Sequence, residues 1–495
     1  MGGTLTTQII RGGTFTFAAT VASRLLGAAG MILLVRILTP EDFGLFTMAF
    51  AGISSLELLT ALGSGHAVVQ SQSKPGDLGI AAFSITSIAG LLMFALLMEY
   101  ADQLSLLLGT DQVSPILRFL SPIVLVRAMV VVPSAFLQKN MWFGRRALVT
   151  VASELMNSVV SVLAALAGQG LWSLVYGALA RALTLLLLSW SLSDPKDWFR
   201  FAMPQWSVVK TLLSFGTQST VFGILVFITN MWHNLLLGRV LGPAAVGYYS
   251  RAFAFATMPL DRGVQLLAGT LFPAYAKLQD NPERLKHGYL RSIRILSLVT
   301  FPTLIGLCAI SEEFVHVLFG AVWAPMIAPL QVLAIMNVFV FFPMATSPLY
   351  LATGAPRYNV GISAIEAACT VLFTLAAVPY GIVWVACASA LARALGAAYS
   401  LHAVNTLLPG VLAGLLPVIR PSAAGCAVML LGIWAARPTI QTLFSNALGW
   451  EVLVSLITLG AALYVGAVVL VDRSVVAVVL ELWKSSTPGP AGGRQ

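Results

Sequence analysis

Residues 33–50 read LLVRILTPEDFGLFTMAF, and residues 236–253 read LLGRVLGPAAVGYYSRAF. The offset is 203 positions, and 8 of the 18 aligned residues are identical, including Arg36 with Arg239, Leu38 with Leu241, Pro40 with Pro243, Gly44 with Gly247 and Phe50 with Phe253. Roughly two identities are expected by chance in so apolar a composition, so the match marks an internal repeat of about 200 residues. In each copy an apolar run closes on an arginine whose long stem can carry its charge into the lipid headgroups. A proline then stops the helix, and a glycine permits close backbone approach where the next one begins. Each copy therefore predicts a tight hairpin between two membrane helices at one membrane surface. Duplicated helical bundles are common in secondary transporters, whose substrate sites lie at the repeat interface.

The rest of the chain has the composition such hairpins need. Of its 495 residues, 58% are hydrophobic and 9% charged, and mean hydropathy is +0.89. These values exclude an ordinary soluble globular protein and predict a polytopic membrane protein. The net charge of +9 is scattered over loops, not gathered in one basic domain, so nucleic acid is not an expected partner. Cys308, Cys369, Cys387 and Cys426 fall singly in apolar runs and imply neither disulfides nor a metal site. There is no Gly-rich phosphate loop followed by Lys and Ser/Thr, so no ATPase engine and no cofactor are expected.

Apolar runs read against charged or Pro/Gly breaks give fourteen spans. They lie near 14–38, 43–63, 78–98, 115–136, 147–167, 171–192, 212–238, 246–272, 289–310, 326–351, 358–378, 382–403, 417–436 and 450–471. The first run is too long for a signal-peptide core and is expected to be a true span. The expected fold class is an all-α polytopic membrane protein with about 14 transmembrane helices in two pseudo-symmetric six-helix lobes, 1–192 and 211–405. A cytoplasmic connection at 193–210 joins the lobes, two additional helices occupy 406–472, and a cytoplasmic tail covers 473–495. The connection, SDPKDWFRFAMPQWSVVK, has the aromatics and lysines of a membrane surface. The tail carries a short amphipathic piece, 474–483, and a Pro/Gly-rich end expected to be disordered.

Lys and Arg are unequally shared between the two alternating sets of connections. One set, which includes both termini, holds eighteen of them; the other holds only Arg36, Arg239 and Arg437. Acidic residues Glu99, Asp102, Asp111, Glu312 and Glu313 belong to the second set. Both termini are therefore expected in the cytoplasm. The basic loop 277–294 reads as a positive-inside loop facing anionic headgroups.

Seven arginines remain within the spans: Arg24, Arg118, Arg127, Arg181, Arg251, Arg262 and Arg393. An arginine at the bilayer centre costs about 3 kcal/mol on insertion scales, so it normally faces a bundle interior or an aqueous cavity. Glu57, Glu154, Asp261 and Glu366 are the acids at similar depth, candidates for ion pairing or ion coupling, and they leave cations in excess. Arg24, Arg127, Arg181, Arg251, Arg262 and Arg393 are accordingly predicted to form a cationic cavity for an anionic substrate. The guanidinium fork suits phosphate or carboxylate and keeps its charge when desolvated. Arg118, close to a span end, is expected to snorkel. Arg262 and Asp261 are neighbours on a helix and point to different faces. His233 reads as a structural hydrogen-bonding residue.

Residues 36–70, RILTPEDFGLFTMAFAGISSLELLTALGSGHAVVQ, resemble the start of the polysaccharide transporter branch of the multidrug/oligosaccharidyl-lipid/polysaccharide exporter superfamily. These are the flippases of O-antigen, capsule and exopolysaccharide repeat units. Leu38, Pro40, Phe43, Gly44, Glu57 and Leu62-Gly63 carry the resemblance, which continues through RVLGPAAVGYYSRAF and the Leu-Phe-Pro-Ala-Tyr segment at 271–275. It implies two six-helix lobes around a central cavity and alternating access to the two faces of the bacterial inner membrane. It also implies a polyprenyl-diphosphate-linked oligosaccharide as substrate, its lipid tail remaining in the bilayer, and a polysaccharide polymerase as a candidate partner. A multidrug/cation antiporter of the same superfamily would bind cations through acids in the first lobe, which the arginine excess disfavours. A membrane-embedded glycosyltransferase or polymerase is disfavoured by the repeat and by extracytoplasmic connections no longer than about 15 residues. A non-transporting scaffold has little reason to keep so many intramembrane arginines.

Overall fold

The computed structural model describes residues 26, 27, 29–61, 65, 68, 75–199, 206–444 and 449–473. Among the described residues the secondary structure is helical, with no strand. A helical stretch over 29–37 precedes α1 (Pro40–Ala61), α2 (Pro75–Leu107), α3 (Val113–Leu120), α4 (Pro122–Lys139), α5 (Phe143–Leu166) and α6 (Trp172–Leu192). There follow α7 (Trp206–Leu241), α8 (Pro243–Leu278), α9 (Pro282–Ala309), α10 (Ser311–Leu318), α11 (Ile327–Ala352), α12 (Arg357–Ala377), α13 (Ile382–Leu407), α14 (Val411–Leu443) and α15 (Trp450–Val471).

Local chemistry sets many of these boundaries. Proline opens α1, α2, α4, α8 and α9, where its missing N–H is no loss and its fixed φ suits the first helical turn. The α1 start is closed by reciprocal bonds: Thr39 N donates to Asp42 Oδ2 (2.9 Å), and Asp42 N donates to Thr39 Oγ1 (3.2 Å). Asn281 caps α9 by accepting from Arg284 N at 3.1 Å.

Eleven segments among the described residues are long and apolar enough to cross a membrane, and each coincides with an expected span. The other three expected spans are the first, which is only partly described, and those of α1 and α8. At 22 and 36 residues, these two helices have the length to cross. The protein is a multi-pass, all-α membrane protein.

The chain forms two compact units, one comprising residues to Arg251 with Ser363–Ser389, the other Ala252–Ile362 with residues from Ala390 onward. In the first unit, backbones approach where side chains are small. A Cβ on Gly177 would lie 1.8 Å from Ser161 Oγ between α6 and α5, and one on Gly90 would lie 2.5 Å from Ala128 Cβ between α2 and α4. The two repeat hairpins meet in the same way: a Cβ on Gly44 would stand 1.7 Å from the Pro243 carbonyl oxygen, and one on Gly247 would stand 1.9 Å from that of Pro40. Arg239, expected to reach headgroups, also donates from Nη1 to the Leu107 carbonyl at 2.7 Å, satisfying an orphan acceptor at the end of α2.

In the connection after α6, Trp198 is fully buried in the first unit. Its Nε1 donates to the Ser193 carbonyl (3.2 Å) and to Ser193 Oγ (3.1 Å). Its ring meets Phe83 at 5.4 Å and Trp190 at 5.3 Å. With its one polar atom satisfied, the indole can bury its whole ring without leaving an unpaired donor.

The second unit is tied by buried hydroxyls and amides, in a medium where water does not compete for them. Ser297 and Ser422 hydroxyls lie 3.2 Å apart between α9 and α14, and Tyr464 OH on α15 donates to the Leu298 carbonyl at 2.8 Å. Tyr289 OH is 3.0 Å from Thr346 Oγ1, Tyr350 OH donates to the Ser400 carbonyl at 2.7 Å, and Asn337 Nδ2 donates to the Ala256 carbonyl at 2.8 Å. At one end, Arg437 of α14 donates to the Ala309 carbonyl and pairs with Glu313 (3.0 Å) and Glu312 (3.7 Å) of α10.

Candidate functional site

Phe43, Thr47, Phe50 and Glu57 follow one another at spacings of four, three and seven, which sets them on one face of α1. From Phe43 to Glu57 the stripe runs ~21 Å at the helical rise, most of a hydrocarbon core. Two predicted arginines meet it. Arg127 of α4 places Nη1 2.6 Å from Glu57 Oε2 and its guanidinium carbon 5.3 Å from the centre of the Phe50 ring. Arg251 of α8 places its guanidinium carbon 5.1 Å from the centre of the Phe43 ring, with Nη1 3.5 Å from Met31 Sδ.

The two cations differ in kind. Arg127 is charge-compensated, whereas among the described residues no carboxylate pairs with Arg251, and its buried Nε has no acceptor. A ring face and a thioether are weak partners for a guanidinium, so most of its donors are uncommitted. Beside Arg251, the Thr47 and Ser250 hydroxyls lie 3.4 Å apart.

The other predicted residues scatter. Arg181 of α6 pairs with Glu154 of α5 at 3.4 Å, and the Glu154 carboxylate sits where a Cβ on Gly27 would come within 2.8 Å. Arg118 pairs at 2.7 Å with Asp102, an acid expected in a connection that instead lies near the end of α2, which runs on to Leu107. Arg393 and Glu366 are both buried, on α13 and α12. His233 is buried with its ring 4.7 Å from that of Tyr249, whose hydroxyl lies 3.1 Å from Ser389 Oγ. Arg24 and the side chains of Asp261 and Arg262 lie outside the described residues. Counting charges along the sequence did not reveal Phe43 and Phe50 as the arginines' platforms; the spacing along α1 is the signal that could have done so.

The second unit holds an apolar cavity of about 500 Å³ lined by residues including Phe255, Met258, Pro302, Gly306, Met429 and Tyr464. Its walls suit a hydrocarbon chain and offer little to a charged group.

Residues 33–328 match the family described as polysaccharide biosynthesis protein. The chain belongs to that family. It is 29% identical over 292 residues to the succinoglycan biosynthesis transport protein ExoT of Rhizobium meliloti (strain 1021), covering 59% of this chain and 58% of that relative. The chain thus spans less than two thirds of the length of that relative. It is 25% identical over 347 residues to the lipopolysaccharide biosynthesis protein WzxC of Escherichia coli (strain K12), covering 67% of each. Among solved structures, it is similar to the lipid II flippase MurJ in an inward closed conformation, with a TM-score of 0.76 and 15% identity over 93% of this chain and 99% of that one. An inward-facing multidrug resistance MATE family transporter of the MOP superfamily gives a TM-score of 0.62 and 17% identity, covering 77% and 94%. The fold of this family member is the one those transporters share, as the resemblance at residues 36–70 implies.

Proposed function

We propose that this protein is a flippase that moves a polyprenyl-diphosphate-linked oligosaccharide repeat unit from the cytoplasmic to the outer face of the bacterial inner membrane, for export of surface polysaccharide. The observation that carries the reading is Arg251, a buried guanidinium on the α1 face with no carboxylate among the described residues to neutralise it. A diphosphate supplies the missing charge and the oxygen acceptors for the fork. Phe43 fixes the guanidinium from one side and leaves its N–H groups for the ligand.

Arg127 is the second step of the same path. A diphosphate moving along α1 competes with Glu57 for this guanidinium, and a released Glu57 carboxylate takes up a proton or a cation. That exchange makes Glu57 the coupling candidate, with Glu154 beside Arg181 a second pair of the same kind. The lipid tail remains in the bilayer. The moving halves are the two repeat lobes, 1–192 and 211–405, with 193–210 and both termini on the cytoplasmic side, a placement supported by the eighteen-to-three bias of Lys and Arg. The oligosaccharide is delivered outside to a polysaccharide polymerase. A cation antiporter needs an available carboxylate, and Glu57 is engaged by Arg127 at 2.6 Å.

Export in a strain lacking the native gene tests this reading. Arg251→Gln is expected to reach the membrane in normal amount and to lose export. Normal export by this variant overturns the role given to Arg251.

A further inference from the structure

The first unit contains a second polar site, apart from the α1 stripe. Where α2, α3 and α6 end or begin together there is an open cavity of about 540 Å³, lined among others by Asp102, Asp111, Ser114, Arg118, Phe119 and Trp172. That volume is within the ~300–1,000 Å³ typical of small-molecule sites. Ser114 Oγ donates to one oxygen of Asp102, and Arg118 Nη2 donates to the other at 2.7 Å, so the carboxylate and guanidinium hold each other in fixed orientations. Arg118 keeps further N–H donors, Asp102 keeps lone pairs, and among the described residues no side chain is paired with Asp111. The aromatic wall is equally braced. Phe119 meets Trp172 edge-on at 5.3 Å and Tyr176 at 6.0 Å, and Trp172 meets Tyr176 at 6.2 Å.

The cavity's position is set by the repeat turn. Gly109, in the α2–α3 turn with φ +93°, lies so close to Arg239 that a Cβ would come within 2.7 Å of its Cα, and Arg239 donates to Leu107. The cavity is therefore at the end of the unit that carries the cation-poor turns, the outer face by the charge bias.

From this arrangement we infer that the cavity is a saccharide subsite, which takes a sugar ring of the translocated oligosaccharide as it arrives at the outer face. The lining excludes other ligand classes. Two carboxylates against one guanidinium repel a phosphate, the guanidinium repels a metal ion, and three fixed polar groups are wasted on a hydrocarbon. A pyranose fits both walls, laying its C–H face on Trp172 and Phe119 and presenting its hydroxyl edge to Asp102, Asp111 and Arg118. The inference rests on the flippase reading for the arrival of the sugar, but not for the chemistry of the cavity.

Saturation-transfer NMR on the full chain in lipid nanodiscs, with the neutral disaccharide cellobiose as probe, tests it. The wild type is expected to transfer magnetisation to the ring C–H protons. Asp111→Asn, an isosteric change at an exposed position, is expected to weaken binding about fivefold, the scale of one lost hydrogen bond. Trp172→Leu is expected to abolish the transfer, and Arg251→Gln to preserve it. No transfer from the wild type, or equal transfer from wild type, Asp111→Asn and Trp172→Leu, overturns the subsite. Translocation of lipid-linked oligosaccharide by the same preparation separates the two readings. Transport without transfer defeats the subsite alone, and transfer without transport defeats the flippase reading alone.

Discussion

Thr47 Oγ1 and Ser250 Oγ, which occupy the same position in the two copies of the repeat, lie 3.4 Å apart. Three residues earlier in each copy, the glycines are placed reciprocally, Gly44 against Pro243 and Gly247 against Pro40. Contact of i with j matched by contact of j with i is the mark of a local two-fold axis, here within one chain. Adding a methyl group at either glycine forces the hairpins apart. Gly44→Ala is expected to destabilise the protein by about 1–3 kcal/mol, the usual cost of overpacking. Gly144→Ala, where a Cβ meets nothing within 4 Å, is expected to be neutral or slightly stabilising. Thermal unfolding in detergent checks the contrast, and equal Tm values for the two variants would contradict it.

Trp198 anchors the connection that leaves α6. Its removal opens a cavity among Phe83, Phe136 and Trp190, with an expected loss of about 3–5 kcal/mol for Trp198→Ala. The connection should then become sensitive to protease at its Lys and Arg residues. Undiminished protease resistance in Trp198→Ala would show that the indole does not hold this segment.

The Glu57–Arg127 pair separates stability from transport. Exchanging the charges in Glu57→Arg/Arg127→Glu keeps an ion pair, so the double variant should be more stable than either single one. It should still fail in export, because the guanidinium no longer projects from α4. Export restored together with stability would assign the pair a purely structural role.

Glu313 lies between spans and is fully buried. Burial raises its carboxyl above the usual range, with Arg437 pulling the other way. A raised folded value means that the protonated form favours the fold. This contribution is complete below the unfolded value near ~4.3 and is lost as pH rises through the folded one. Glu313→Gln should therefore raise Tm at neutral pH and flatten its fall from about pH 4 to about pH 7, with Glu312 still available to Arg437. A lower Tm at neutral pH would mean that attraction to Arg437 outweighs burial.

Much of the fold was legible because its signals are local. Helix length, proline starts and the 203-residue offset all lie on the surface of the sequence. Gly44 and Gly247 were recognisable as sites of close approach, although what approaches them, the opposite repeat's proline, needs tertiary structure. Long-range partners were less accessible. Arg118 found its acid at Asp102, near the end of an α2 that runs past the expected span, and Trp198 was drawn inward by aromatics from α2, α4 and α6. Counting intramembrane charges singled out Arg127 and Arg251 as candidates but overstated the free cationic excess, since Arg127 and Arg181 are paired with Glu57 and Glu154. The repeat is also chemically asymmetric: the position matching Glu57 is Leu260, so the acid belongs to the first copy alone.

The central claim is tested most directly in proteoliposomes holding the purified protein, a fluorescent polyprenyl-diphosphate oligosaccharide and, in parallel, a fluorescent cationic drug. The account predicts that the lipid-linked sugar crosses the bilayer, that Arg251→Gln and Arg127→Gln each abolish crossing in correctly inserted protein, and that the drug does not move. Movement of the drug alone, or undiminished sugar transport in both arginine variants, would contradict it.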